Sequence, residues 1–256
     1  MDVTQEYQSL EKEQALEKLK THKITKSNHL IRHARSNLSA LQSKLVAFII
    51  SKIEPNDTDF RDIEFNILDF CGVCKMKSTG MYDHLKKDLK ALRDQSIWIT
   101  REDEKGNEVE ETFSWLSKVT IQKQSGVIVL KMSEDLKPYL LELKENFTSY
   151  RFEEVMNFQS KYTAWVYDNL ISRLGLGEWI VSLDEIRKQT NTKYEFKHIR
   201  SRIIEPSLTE INKYTSLKVD YIKIKKGRSI DKLKFIICSK NVNKDDVIEV
   251  EYSEVG

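Results

Sequence analysis

Few side chains in this sequence stand at the spacings that chemistry requires. Cys71 and Cys74, in "CGVC", have a redox or zinc spacing, but there is no second cysteine pair and no βαβ pattern around them. A structural role is expected, with a cysteine buried in a short helix. His29 and His33, in "HLIRH", lie one helical turn apart as a metal pair would. They lack the intervening glutamate of a zinc protease and a third ligand, so no metal is expected. A nucleotide-driven motor needs G-x-x-x-x-G-K-[ST], whose backbone amides hold phosphate, and no two of the eight glycines are placed that way. A rolling-circle nuclease would need a His-hydrophobic-His triplet, and none is present. The sequence therefore points away from an enzyme and calls for no cofactor.

Charge is what remains. The net charge is only +2, but it averages unlike regions. Residues 187–240 hold fifteen Lys and Arg against five Asp and Glu, whereas residues 241–256 hold one Lys and five acids. Segregation of this kind is the footprint of a protein that meets a polyanion, of which nucleic acid is the commonest. The densest positive point is "YIKIKKGRSIDKLKFII", two strand-like runs joined at Gly227, with Lys223 on the first run and Lys225, Lys226 and Arg228 at the tip.

The elements that must position this tip lie just upstream. Phe196, Ile199, Ile203, Ile204, Leu208 and Ile211 repeat at helical spacing, with Tyr194, His198, Ser201 and Arg202 opposite and Lys197 and Arg200 on the flanks. Pro206 is expected to break or kink this helix. Before it, "VSLDEIRKQTNTK" reads as a short amphipathic helix closed by a polar turn that includes Lys193. Short helix, turn, basic-faced helix and hairpin is the order of a winged helix-turn-helix, whose second helix enters the major groove while the hairpin lies along phosphates. His198 is open to two readings, a DNA contact or a plain surface histidine. Arg200, nearer the apolar flank, is either a base reader or a group that holds an acid or a helix end.

The same order occurs twice. "LQSKLVAFIISKI" (residues 41–53) aligns with "FQSKYTAWVYDNLISRL" (158–174), "FNILDFCGV" (65–73) with "VSLDEIRKQ" (181–189), and "HLKKDLKAL" (84–92) with "HIRSRIIEP" (198–206). Tyr162, Trp165 and Tyr167 then match Leu45, Phe48 and Ile49 and belong in a core. In the first copy the second helix is expected from a cap at Ser78 to Leu92, with a seam of Tyr82, Leu85, Leu89 and Leu92. Lys77, Lys86, Lys87 and Lys90 decorate it as secondary DNA contacts. The following hairpin, "EDEKGNEVEE", carries six acids and is read as an acidic wing that avoids DNA and faces solvent or a protein. The expected fold is α+β, with tandem winged-helix domains at 24–148 and 149–240, a charged extension at 1–23 and an acidic tail at 241–256.

"ITKSNHLIRHARSNLSALQSKLVAFIISKI", "LKPYLLELKENFTSYRF", "FQSKYTAWVYDNLIS", "IIEPSLTEIN" and "KKGRSIDKLKFII" resemble, in order, the blocks of theta-type, iteron-binding plasmid replication initiators. The resemblance spans residues 24–237. It implies two winged-helix domains on double-stranded origin repeats, base reading by Lys197, His198, Arg200, Ser201 and Arg202, and wing contacts by Lys225, Lys226 and Arg228. Ser201 departs from the basic residue expected there. It also implies a monomer and dimer equilibrium joined through the first domain, repression at an operator, and recruitment of the host initiator, helicase and primase. A dedicated transcription regulator would use the same folds and is the alternative. The longest apolar run, "LVAFII", is too short to cross a bilayer, and three cysteines fit a reducing compartment, so a cytoplasmic protein without membrane contact is expected.

Overall fold

A computed structural model describes residues 20–74, 76, 80–122 and 124–240, together with 14, 17 and 18. The first unit opens with β1 (Lys23–Ser27), α1 (Asn28–His33), β2 (Ala34–Arg35) and α2 (Ala40–Ile50). It continues with β3 (Ile63–Asn66), α3 (Ile67–Val73), α4 (Met81–Asp94), β4 (Ser96–Glu102), β5 (Glu108–Ser114), β6 (Leu116–Ile121), β7 (Val127–Met132) and the short α5 (Lys137–Leu140). The second unit has β8 (Phe147–Arg151), α6 (Phe152–Val155), α7 (Thr163–Ile171), β9 (Glu178–Ser182), α8 (Leu183–Thr190), α9 (Phe196–Ile199), α10 (Glu205–Tyr214), β10 (Leu217–Lys226) and β11 (Ser229–Ser239). No helix of the described residues is long and apolar enough to cross a membrane.

The repeated seams form because apolar side chains recur on one face. Leu85, Leu89 and Leu92 of α4, and Ile199, Ile203 and Ile211 along the second unit's long helix, are all fully buried. Burying each such side chain is worth roughly 1.5–3 kcal/mol. The helices start where side chains replace missing backbone partners. Ser39 and Gln42 form a capping box on α2, and Ser182 accepts from the Glu185 amide at 3.0 Å to begin α8. The expected cap at Ser78 lies outside the described residues. Gly80 takes the N-cap of α4 with a positive φ of 73°, so the helix starts at Met81.

Strand pairing corrects the reading of the first wing. In the second unit β9 pairs with β11 and β11 with β10, so the strand entering the helix-turn-helix lines up against the wing. In the first unit β3 plays the role of β9, and it pairs with β7, which pairs with β6. The counterpart of the basic hairpin is therefore β6–β7. The acidic β4–β5 hairpin is an insertion between α4 and that wing, in a separate sheet ordered β2-β4-β5.

The two units join through a shared ribbon. β1 precedes the first helix of unit one, β8 precedes the first helix of unit two, and they pair antiparallel with Ile24 opposite Tyr150. The expected domain boundary at 148/149 falls inside β8. Asp168 of α7 closes the junction, receiving Lys26 Nζ at 2.7 Å and the Tyr150 hydroxyl at 2.5 Å. Lys26 and Asp168 side chains are only 11% and 16% exposed, and the buried residues of both units form one contiguous core. The expected core aromatics divide, since Tyr167 is fully buried whereas Tyr162 and Trp165 are half-buried against the core.

Candidate nucleic-acid interface

The second unit's recognition helix is not broken at Pro206. Between α9 and α10, residues Arg200–Ile204 form a π-helical turn, and the Glu205 amide donates to Arg200 O, five residues back. Proline has no amide donor and its ring would strike the carbonyl four residues before it. A widened turn just ahead of Pro206, which sits in the first turn of α10, lets the helix run on. Arg200, Ser201 and Arg202 all sit in this wide turn and all are exposed.

Around that turn the side chains organise one another. Arg202 lies over the Tyr194 ring at 5.2 Å and donates to its hydroxyl at 3.4 Å. That guanidinium holds the Tyr194 phenol below its ordinary pKa. His198 packs edge-on against the same ring at 6.1 Å. Arg200 pairs with Glu205 at 3.2 Å on the exposed surface, as one of its two readings anticipated. Arg187 does not join the basic face, because it donates to Tyr194 O at 2.9 Å and to Asp184 at 2.6 Å and so braces the turn. Among the described residues, Lys193 and Lys197 are exposed with no ion-pair partner.

The wing is set by a two-residue turn. Lys226 faces Ser229 across the ribbon, and Gly227 takes a φ of 62°, a conformation that favours glycine at the first central position of such a hairpin. A register shift after Ile224 leaves Asp231 as an extra residue in β11. Lys225, Lys226 and Arg228 are exposed without an ion-pair partner among the described residues. Lys223 instead lies over the Phe196 ring at 5.6 Å and ties the wing to the helix. Helix turn and hairpin tip thus each present exposed cations, groups able to make charge-assisted hydrogen bonds to anionic oxygens.

In the first unit Lys87 and Lys90 are exposed on α4 and Lys86 is half-buried, while Lys77 lies outside the described residues. The position aligned with Arg202 is Asp88, which accepts from Ser39 Oγ at 2.8 Å and so holds the start of α2. Its wing, residues 116–132, carries three lysines and no acid. Sequence reading missed this wing because the acidic hairpin comes first after the helix. The β-branched run "VIVLKM", paired with β3, was the available signal. Lys118 of this wing is exposed, and Lys131 pairs with Glu134 at 3.5 Å. The acidic insertion is partly neutralised by Arg35 on Glu110 and Arg101 on Glu111.

Cys71 and Cys74 are both buried, and burial pushes the Cys74 thiol up to about 12, which suits packing rather than reaction. His29 and His33 stack at 4.5 Å, and among the described residues no group of three potential ligands could hold a metal.

Residues 23–171 match the family model described as "Initiator Replication protein, WH1", and residues 182–237 match "Initiator Rep protein, WH2". A protein of Escherichia coli described as "Replication initiation protein" is 25% identical over 244 residues, which cover 91% of this chain and 74% of that one. Among solved structures, the Pi initiator protein in complex with iteron DNA superposes with a TM-score of 0.71 at 19% identity, covering 87% of this chain and 99% of that one.

Proposed function

We propose, on the premise that the chain belongs to the initiator replication protein family, that it starts plasmid replication by binding directly repeated sites, or iterons, at the origin. The observation that carries this reading is the pairing of two wings of the same sign with two winged-helix units that share one ribbon and one core. Two units on a common ribbon can engage two stretches of a single repeat at once. The second unit supplies most of the base reading, through the exposed turn of Lys197, His198, Arg200, Ser201 and Arg202, and its wing supplies phosphate contacts. The first adds backbone contacts through α4 and β6–β7. Opening of the duplex, repression at an operator, self-association through the first unit and recruitment of the host initiator, helicase and primase are part of the same reading and rest on the family alone. The protein acts as a DNA-binding initiator with no catalytic step of its own.

The test is fluorescence anisotropy on a labelled duplex carrying repeats from the protein's own replicon, against scrambled DNA, across a salt series. The expected result is selective binding with a log-log salt slope of about −5 to −8, near 0.9 per phosphate contact. Equal, weak binding to both duplexes would overturn the reading. Selectivity for a lone palindrome over direct repeats would favour a repressor instead.

A further inference from the structure

A second basic surface lies away from the recognition helix, in the cleft where the two units meet. The cleft spans about 460 Å³, a size typical of sites for small ligands. Unit one lines it with Arg32, in the last turn of α1, and Arg35 of β2, while unit two lines it with Arg173, just after α7, and Lys188, in the last turn of α8. Two carboxylates, Glu108 and Glu185, share the lining, and Arg173 is already engaged, donating to Asn169 O at 2.8 Å and lying over the Trp179 ring at 5.3 Å. Glu185 accepts from Gln189 at 2.8 Å, and among the described residues neither Arg32 nor Lys188 forms an ion pair. Arg35 is paired with Glu110 through a terminal nitrogen, yet the Nε atoms of both Arg35 and Arg32 are buried with no acceptor. With those Nε atoms out of reach, the terminal nitrogens of the half-buried Arg32 and the ammonium of the exposed Lys188 are the donors that can meet an oxyanion in the cleft.

We infer that this cleft binds a phosphoryl oxyanion, held between cations of both units. The space exceeds a bare phosphate and fits a nucleoside polyphosphate, with the exposed Ile180 offering an apolar surface beside the charges. The same oxyanion chemistry is available from the backbone of a duplex entering the cleft. The site shares no residue with the recognition helix or either wing, so it stands or falls separately from the iteron-binding reading.

The experiment is thermal unfolding of the full chain with sodium tripolyphosphate and then ATP, without divalent metal and at constant ionic strength. A saturable rise of about 5–10 °C is expected when ligand exceeds Kd a hundredfold. The rise should persist in Lys225→Gln/Lys226→Gln/Arg228→Gln, which neutralises the wing, and disappear in Arg32→Gln/Lys188→Gln. Lys188→Gln alone changes an exposed side chain and should weaken tripolyphosphate binding several-fold in a chain that folds normally. A second arm measures duplex affinity against salt for the same variants. A polyphosphate shift with an unchanged salt slope assigns the site to a free ligand. No such shift, but a slope shallower by about 0.9 per removed cation, assigns it to the DNA backbone. If Arg32→Gln/Lys188→Gln alters neither the shift nor the slope, the inference is overturned.

Discussion

The two winged-helix units share an order of elements and differ in what stands at equivalent positions. Unit two places Arg202 in an exposed wide turn and leaves it to Tyr194, a partner that orients without neutralising. Unit one has Asp88 there, spent on the cap of α2. Unit two passes directly from helix to wing, whereas unit one inserts an acidic ribbon before a wing that is itself free of acids. Both copies carry a hairpin with exposed lysine, and one carries an exposed basic turn ahead of it.

Charge reversal at the wings tests this comparison most strongly. Lys225→Glu/Lys226→Glu/Arg228→Glu should cost about 10²-fold or more in duplex affinity and flatten the salt slope by about 2.7, at 0.9 per contact. Lys118→Glu in the first wing should cost less but be measurable. Neutralising Glu104 and Glu108 in the insertion should leave affinity nearly unchanged. Equal losses at both wings would end the division of labour, and a large gain from the insertion would restore it as the true wing.

Next in size is the junction. Lys26→Met leaves Asp168 buried with only Tyr150 to serve it, and breaking such a pair costs about 3 kcal/mol. Urea unfolding should show that loss in one transition. Two separate transitions would mean that the units are stable alone. Arg202→Ala should then cost about 1–3 kcal/mol on the cognate repeat and little on scrambled DNA, whereas Asp88→Ala should leave base preference intact and lower stability.

The smallest effect is with pH. Burial lowers the pKa of His29, against a backbone hydrogen bond to Thr100, and burial followed by the charge of His29 lowers that of His33. The unfolded chain therefore binds more protons than the folded one as pH falls through the ordinary imidazole range near 6.5. Stability is fully present above that range and declines below it. His29→Phe keeps the ring stack and should flatten the decline between pH 7.5 and 5.5. An unchanged slope would place the titration elsewhere.

What sequence made legible were the local patterns. The seams of Leu85, Leu89 and Leu92 and of Ile199, Ile203 and Ile211 could be counted off because helical spacing is a property of neighbours. So could the turn at Gly227, with its exposed Lys225, Lys226 and Arg228. Pairings between distant strands could not. Phe65 meets Ile128 across a stretch that contains an entire hairpin, and the one local signal for that choice, the apolar run at 127–132, comes only after the acidic hairpin has been passed. Pro206 misled for a different reason, since its clash is local but its relief, a wide turn ahead of it, depends on the buried Ile203 and Ile204 holding both sides in line. The cleft cations were invisible because Arg32 and Lys188 come together only when the units do.

The ribbon that joins the units also has a history during synthesis. Thr25 and Ser149 bond across 124 residues of chain, and a ribosome adding about 5–20 residues per second needs roughly 6–25 s to supply the second strand. Until then β1 is an open edge, with Ile24, fully buried in the finished protein, facing water. Stalled chains ending at residue 140 should lose this segment to protease quickly, and chains ending at residue 240, with β8 clear of the ribosome, slowly. Lys23 and Lys26 flank Ile24 in the waiting strand. The lysine that finally settles against Asp168 thus has an earlier duty as a gatekeeper, keeping an unfinished nascent chain from pairing with a stranger.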